Sequence, residues 1–233
     1  MTLHINQQTD ILGVIDVQND FLPGGSLAVH NGDHIIPIIN TLLQNCFRYA
    51  FATQDWHPKN HISFASSHRN KNVSEIIDLP YGKQMLWPDH AVAEQWGSAF
   101  PKTLITSHFQ MILRKGWNQN IDSYSAFKEN DQKTTTGLEG WLKHIGIKRV
   151  FLSGLAEDFC VAYSAQDAIS AGFETYIIED AVKAVAIPLK EGQTSASEAR
   201  KKLSNLGVKY INSTQIVQNK TTSLSPQVES NVP

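Results

Sequence analysis

The sequence predicts a three-layer α/β/α fold built on a six-stranded, mostly parallel sheet. Three observations carry that prediction. Short runs rich in apolar and β-branched residues recur along the chain, and stretches with helical spacing separate them. The runs are close to continuously apolar, which suits strands covered on both faces. Strand–helix–strand order repeated in this way favours right-handed crossovers with helices on both sides of one sheet.

Ile11 to Val17 (ILGVIDV) reads as the first strand, and Asp33 to Cys46 sets Ile35, Ile36, Ile39, Leu42 and Leu43 at helical spacing. Arg48 to Thr53 is the second strand. Residues 55 to 107, rich in His, Asn, Ser, Pro and Trp, read as one long irregular stretch, and a loop of that length is usually functional or disordered. His108 to Arg114 is the third strand, followed by a helix around Gly137 to His144. Arg149 to Ser153 is the fourth, running into a helix that begins near Gly154 and stops at Gly172. Glu174 to Glu179 and Val208 to Asn212 are the fifth and sixth, with a helix from about Thr194 to Leu206 between them. Gly207 sits where a helix C-cap belongs. One domain is expected over residues 1–212, and the polar, aperiodic residues 213–233 are expected to form a mobile tail.

Composition narrows the function. The net charge is −2 with no Lys/Arg run, which argues against a nucleic-acid partner. Apolar stretches are strand-sized, so no membrane span is expected. The first ten residues lack the basic start and apolar core of a signal peptide, and two cysteines do not make a disulfide framework. These features point to a cytoplasmic enzyme with a small-molecule substrate. No heptad or apolar face fixes an oligomeric state, so a homo-oligomer stays open. There is no GxGxxG or GxxxxGK[ST].

Open α/β sheets bind ligands outside the carboxyl ends of their strands. There the first strand delivers Asp16, the second Asp55 and His57, the third Lys115, and the fourth Cys160. A thiol at a helix N-terminus is drawn toward thiolate, and a nearby Lys115 ammonium would add to that effect. Asp16 is placed to take the thiol proton, and the amides of Ala156 and Cys160 to hold an oxyanion. The competing reading of Cys160 is a buried structural thiol. Asp55 and His57, two apart on an extended segment, share a side and can share one ion. The group Asp55, His57, His61, His68 and His90 offers oxygen and nitrogen donors suited to zinc, iron or manganese, although a well-packed Trp/His/Pro loop reads similarly. Phe21 and Trp87 lie close to these residues in sequence. If both line the pocket, they would sandwich a flat aromatic ligand.

Several segments together carry a resemblance. They are Asp16-Val-Gln-Asn-Asp-Phe21, Gln54-Asp-Trp-His-Pro58 with His61, Trp87-Pro-Asp-His90, Lys115-Gly116 with Asp122-Ser-Tyr-Ser-Ala-Phe127, and Gly154-Leu-Ala-Glu-Asp-Phe-Cys160. In order and spacing, over residues 10 to 212, the chain resembles the nicotinamidases among the isochorismatase-like cysteine hydrolases, which have a Rossmann-like fold. The first and last segments are shared across that superfamily, whereas DWHP and WPDH together are specific to nicotinamidases. The resemblance implies hydrolysis of nicotinamide to nicotinate and ammonia in NAD salvage, with activity on pyrazinamide. It implies Cys160 as nucleophile, Asp16 as general base and acid, and Lys115 as the third member of a triad. It further implies one divalent metal ion, zinc first, on Asp55, His57 and His90, with His61 a ligand in some relatives and not in others. A cis peptide is implied between Leu155 and Ala156. Two departures stand out. Ala91 occupies a place where many relatives have Cys, and Glu157 one where Thr is common, close enough to Cys160 to raise its pKa slightly.

Overall fold

Asp10–Ile15 is buried at every position, as befits a strand with parallel neighbours on each side and helices above and below. It is strand β2 of a computed structural model that describes residues 2–218. In chain order the elements are β1 (Leu3–Ile5), β2, α1 (Ile36–Asn45), β3 (Tyr49–Asp55), β4 (Ile76–Leu79), β5 (Gly82–Met85) and β6 (Met111–Lys115). They continue through α2 (Leu138–His144), β7 (Arg149–Leu155), α3 (Ala162–Ser170), β8 (Glu174–Lys183), α4 (Ser195–Asn205), β9 (Lys209–Ile211) and β10 (Ile216–Gln218).

The main sheet has the order β6-β3-β2-β7-β8-β9, and every pairing in it is parallel. The chain starts at the centre, winds outward through β3 to β6, then crosses back to β7 and fills the other half. Strand order therefore reverses between β2 and β7, the point where such sheets open a ligand crevice. Side chains alternate across the layers. Leu12 and Val14 of β2 join Phe151 of β7 in the core with α1, through Ile36, Ile39, Leu42 and Leu43. Ile11 and Ile15 join Val150 and Leu152 in the opposite core, with Leu138 and Leu142 of α2, Ala165 and Ala168 of α3, and Leu203 of α4.

The structure departs from expectation in three places. The stretch 55–107 contains the antiparallel hairpin β4–β5, whose strands are half-exposed and only four residues each, too short to register as a sheet. The helix expected from near Gly154 instead opens with a π turn, Glu157–Val161, and becomes regular only at Ala162. The mobile tail expected from residue 213 does not begin there. Asn212 caps a short 3-10 turn, and Ile216–Gln218 pairs in parallel with Leu3–Ile5, burying Ile216. That pairing joins the two ends of the described chain, so no local pattern announces it. The remainder of the expected tail, 219–233, lies outside the described residues.

Gly154, near the end of β7, has φ +108°, and a Cβ placed there would fall against the Ile15 backbone. Only glycine lets β2 and β7 approach this closely at the switch point. Gly154→Ala is expected to cost about 3 kcal/mol or more, through both the positive φ and the backbone overlap. A urea-unfolding midpoint measured against the parent protein checks it.

Candidate active site

The four strands around the reversal end in chemistry. Asp16 follows β2 with φ +48°, a left-handed conformation in which Asp is tolerated better than most residues. Thr53 of β3 fixes it from both sides: the Thr53 hydroxyl accepts from the Asp16 amide at 3.1 Å and donates to Asp16 Oδ1 at 2.6 Å. Lys115, the last residue of β6, sits in register with Asp55, the last residue of β3.

The Lys115 ammonium is fully buried and surrounded. It donates to Asp55 Oδ1 through a short contact, to Ser123 O at 2.9 Å and to Cys160 Sγ at 3.4 Å, and forms an ion pair with Asp16 Oδ2 at 2.8 Å. Burial works against the charge, but Asp16, Asp55 and Cys160 hold its pKa well above the usual lysine value. One ammonium against two carboxylates leaves a buried surplus of one negative charge. Burial raises the Asp16 pKa, and Lys115 offsets this only in part. For Asp55 burial also pushes upward, but Lys115 and His57 overcome it and hold the carboxyl well below its usual range.

Cys160 lies on the π turn at 7% exposure. Its thiol is not drawn toward thiolate as its position at a helix start suggests. Burial pushes its pKa well above 9.0, Lys115 opposes the shift, and Asp16 and Asp55 reinforce it. The resting group is a thiol whose sulfur lies within 4.8 Å of an Asp16 oxygen, on a carboxylate made more basic by the same burial. Glu157 does not contribute as expected. Its carboxylate points to α4, where Arg200 Nε donates to Oε1 at 2.6 Å and Arg200 Nη2 to Oε2 at 3.1 Å.

Asp55 uses its second oxygen differently. Asp55 Oδ2 lies 3.6 Å from His57 Nε2 and 3.8 Å from His90 Nε2, and ligand atoms of the three residues fall within 4.8 Å of one another. The other ring nitrogens are committed to backbone carbonyls: His57 Nδ1 to Gly116 O and His90 Nδ1 to Pro88 O, each at 2.8 Å. A carbonyl only accepts, so each Nδ1 carries a proton and each Nε2 is left facing Asp55. This is the arrangement by which outer hydrogen bonds orient metal-binding imidazoles. Burial lowers the His57 pKa, but Asp55, with Asp122 and the Gly116 carbonyl, raises it above the usual value, and a cation would feel the same charge attraction. The residues fit a divalent ion, which would also offset the surplus negative charge. Gly116 permits the geometry: at φ +64°, a Cβ would come within 2.5 Å of the His57 ring. His61 stacks on His57 at 4.2 Å, but its own nitrogens are engaged. Nδ1 meets Ser63 Oγ at 2.8 Å and Nε2 meets Asn118 O at 3.0 Å.

The segment after β2 ties these parts together. Gln18 donates to Asp55 O and accepts from Asp55 N, both at 2.8 Å, fixing the backbone that carries the carboxylate. Asp20 accepts from the Ala91 amide at 2.7 Å and so secures the loop bearing His90.

These groups border a pocket of about 440 Å³ including its mouth, into which Asp55, His90 and Cys160 project. Phe21 and Trp87 both line it, as do Leu155 and Ala156, whose connecting peptide is cis. Sequence reasoning did not single out Tyr124 and Phe159 as lining residues. The Tyr124 hydroxyl accepts from Trp87 Nε1 at 3.0 Å, and the Phe159 ring meets Trp87 edge-on at 5.0 Å. Both residues sat inside recognised segments, so an aromatic beside a reactive residue was the available signal.

The family model for the isochorismatase domain matches residues 10–208. The nicotinamidase of Acinetobacter baylyi is 53% identical over 172 residues, which cover 74% of this chain and 80% of that protein. A solved structure of PnC1 from L. infantum in complex with nicotinate is 37% identical, covering 94% of this chain and all of that one, with a TM-score of 0.82. A pyrazinamidase of Pyrococcus horikoshii in complex with zinc is 31% identical, covering 87% of this chain and 98% of that one, with a TM-score of 0.65. The chain belongs to the isochorismatase family. Within it the nicotinamidases are its relatives, and it is an amidohydrolase acting on a carboxamide.

A buried thiol with a raised pKa forms thiolate slowly without substrate. On chelator-treated protein, the rate of iodoacetamide labelling at Cys160 is expected to keep rising with pH beyond the ordinary thiol value of 9.0. A plateau near neutral pH, read by mass spectrometry, would contradict the raised thiol.

Proposed function

We propose that the chain hydrolyses nicotinamide to nicotinate and ammonia through a Cys160–Asp16–Lys115 triad. The observation that carries this reading is one pocket bordered at once by Cys160 and by the Asp55/His90 donors. A pyridine carboxamide has its two polar groups, the amide and the ring nitrogen, on a flat body that suits an aromatic-walled slot.

In the first half-reaction Asp16 takes the Cys160 proton as sulfur attacks the carboxamide carbon. The new S–C bond places negative charge on the oxygen, which the Ala156 and Cys160 amides are assigned to hold. As the intermediate collapses, the C–N bond breaks, Asp16 returns the proton to the nitrogen, and ammonia leaves. A thioester remains on Cys160. Asp16 then draws a proton from water, whose oxygen attacks the thioester; as the C–S bond breaks Asp16 returns that proton to the sulfur, and the acid formed gives up its own proton to solvent and leaves as nicotinate. Lys115 keeps Asp16 in place and limits the rise in its pKa. Phe21 and Trp87 confine the ring. Asp55, His57 and His90 would hold a divalent ion, zinc first, with His61 braced behind His57. Bound there, the ion would supply a Lewis-acid partner for the ring nitrogen.

Pyrazinamide, with the same carboxamide on a ring of the same shape, is expected to react too. Nicotinate so formed would feed NAD salvage. Both cysteines are free, and a thiol nucleophile suits a reducing cytoplasm.

Ammonia release from nicotinamide, with metal content measured alongside, tests this reading. Cys160→Ala is expected to lower turnover by about 10³-fold or more while retaining metal. A rate near the parent's would sink the covalent route. His57→Ala should lose metal and activity together. Chelation should abolish turnover of the parent protein, and returning zinc should restore it. Full activity in demonstrably metal-free protein would remove the ion from the mechanism.

A further inference from the structure

Glu157 is a buried charge that the reaction above leaves unused. The residue is 4% exposed, and its carboxylate is gripped by Nε and Nη2 of the Arg200 guanidinium, which in turn lies 5.2 Å over the Tyr210 ring of β9. We propose that Arg200, on α4 and outside the pocket, is a positioning residue for the reaction, acting through Glu157 on the turn that carries the nucleophile. The inference rests on Cys160 being that nucleophile.

Over Glu157–Val161 the Ala156 carbonyl is shared between the Phe159 and Val161 amides, each at 3.1 Å, and Ala156 offers no side-chain cap. Two successive acids also tie the turn to neighbouring elements. Asp158 accepts from the amides of Val185 and Ala186 and from the hydroxyl of Ser195, the first residue of α4. Glu157 reaches Arg200 further along the same helix. The turn is thus joined to α4 at two points, by residues that do not line the pocket.

A guanidinium fork matches a carboxylate in direction as well as charge, so it fixes the orientation of residue 157. Ala156 immediately precedes that residue and Cys160 follows it by three on the same turn, and their amides are the ones assigned to the oxyanion. Those donors gain most of their effect in the transition state and lose it with small displacements. Removing Arg200 leaves a buried carboxylate without a counter-ion, which relaxes by turning toward water and taking the turn with it.

The test uses Arg200→Ala, Arg200→Lys, Glu157→Gln and the double variant Glu157→Gln/Arg200→Ala in the ammonia-release assay. Parent turnover is measured first, so a failed functional assignment appears before any variant and is distinct from a failed latch. Arg200→Ala is expected to lower kcat about 10- to 100-fold. KM should stay within about twofold, the mark of an interaction made mainly in the transition state. Arg200→Lys, which keeps the charge, should recover part of the loss. In the Glu157→Gln background, losing Arg200 should cost less than a further factor of about two. A parent-like kcat in Arg200→Ala, a loss confined to KM, or an equal fall in both backgrounds would overturn the proposal. Should Arg200→Ala fail to fold, Arg200→Lys and Arg200→Gln carry the same comparison.

Discussion

One buried ammonium organises this site. Lys115 Nζ touches Asp16, Asp55 and Cys160 together, and its side chain is wholly removed from solvent. Without it, two carboxylates would face each other in a low dielectric with no counter-charge, an arrangement that costs several kcal/mol per ion. With it, they divide their roles. Asp16, whose pKa is raised, stands within 4.8 Å of the thiol, while Asp55, held well below its usual range, turns its free oxygen to the two imidazoles. The same cation thus spans the reacting edge and the ligand edge of one pocket.

The scaffold places that cation with backbone rather than loops. Asp55 and Lys115 are register partners at the ends of neighbouring strands, and Asp16 stands on the next strand over. The segment after β2 supplies most of the bracing: Gln18 to the Asp55 backbone, Asp20 to the loop bearing His90, and Phe21 to the pocket wall. A short run of sequence therefore does three separate mechanical jobs besides providing Asp16. Cys160 arrives from the other side of the strand reversal, on a turn anchored to α4 and to the segment after β8.

Much of this was legible because strands covered on both faces advertise themselves as continuous apolar runs. The residues at their ends then follow from the rule for open sheets. Asp16, Asp55, His57, Lys115 and Cys160 all lie at such ends, and the structure brings them together. His90 was not placed by spacing, because it arrives through a 34-residue excursion whose hairpin is half-exposed and only four residues to a strand. The β1–β10 pairing escaped notice because it joins residues from opposite ends of the described chain. The direction of the Cys160 shift was misread for a physical reason. Sequence shows a helix start and a nearby lysine, but not the depth of burial or the second carboxylate, and those two decide the sign. Glu157 was misread likewise, since its partner lies 43 residues away on another helix.

The central claim is that Cys160, relieved of its proton by Asp16, becomes covalently bonded to the substrate's acyl group. Rapid-quench mass spectrometry during nicotinamide turnover tests it most directly. The account predicts a nicotinoyl group on the peptide containing Cys160, appearing before steady-state nicotinate and decaying as substrate is exhausted. Steady release of nicotinate with Cys160 unmodified at every time point, and with formation rather than breakdown of the acyl-enzyme excluded as the slow step, would contradict it.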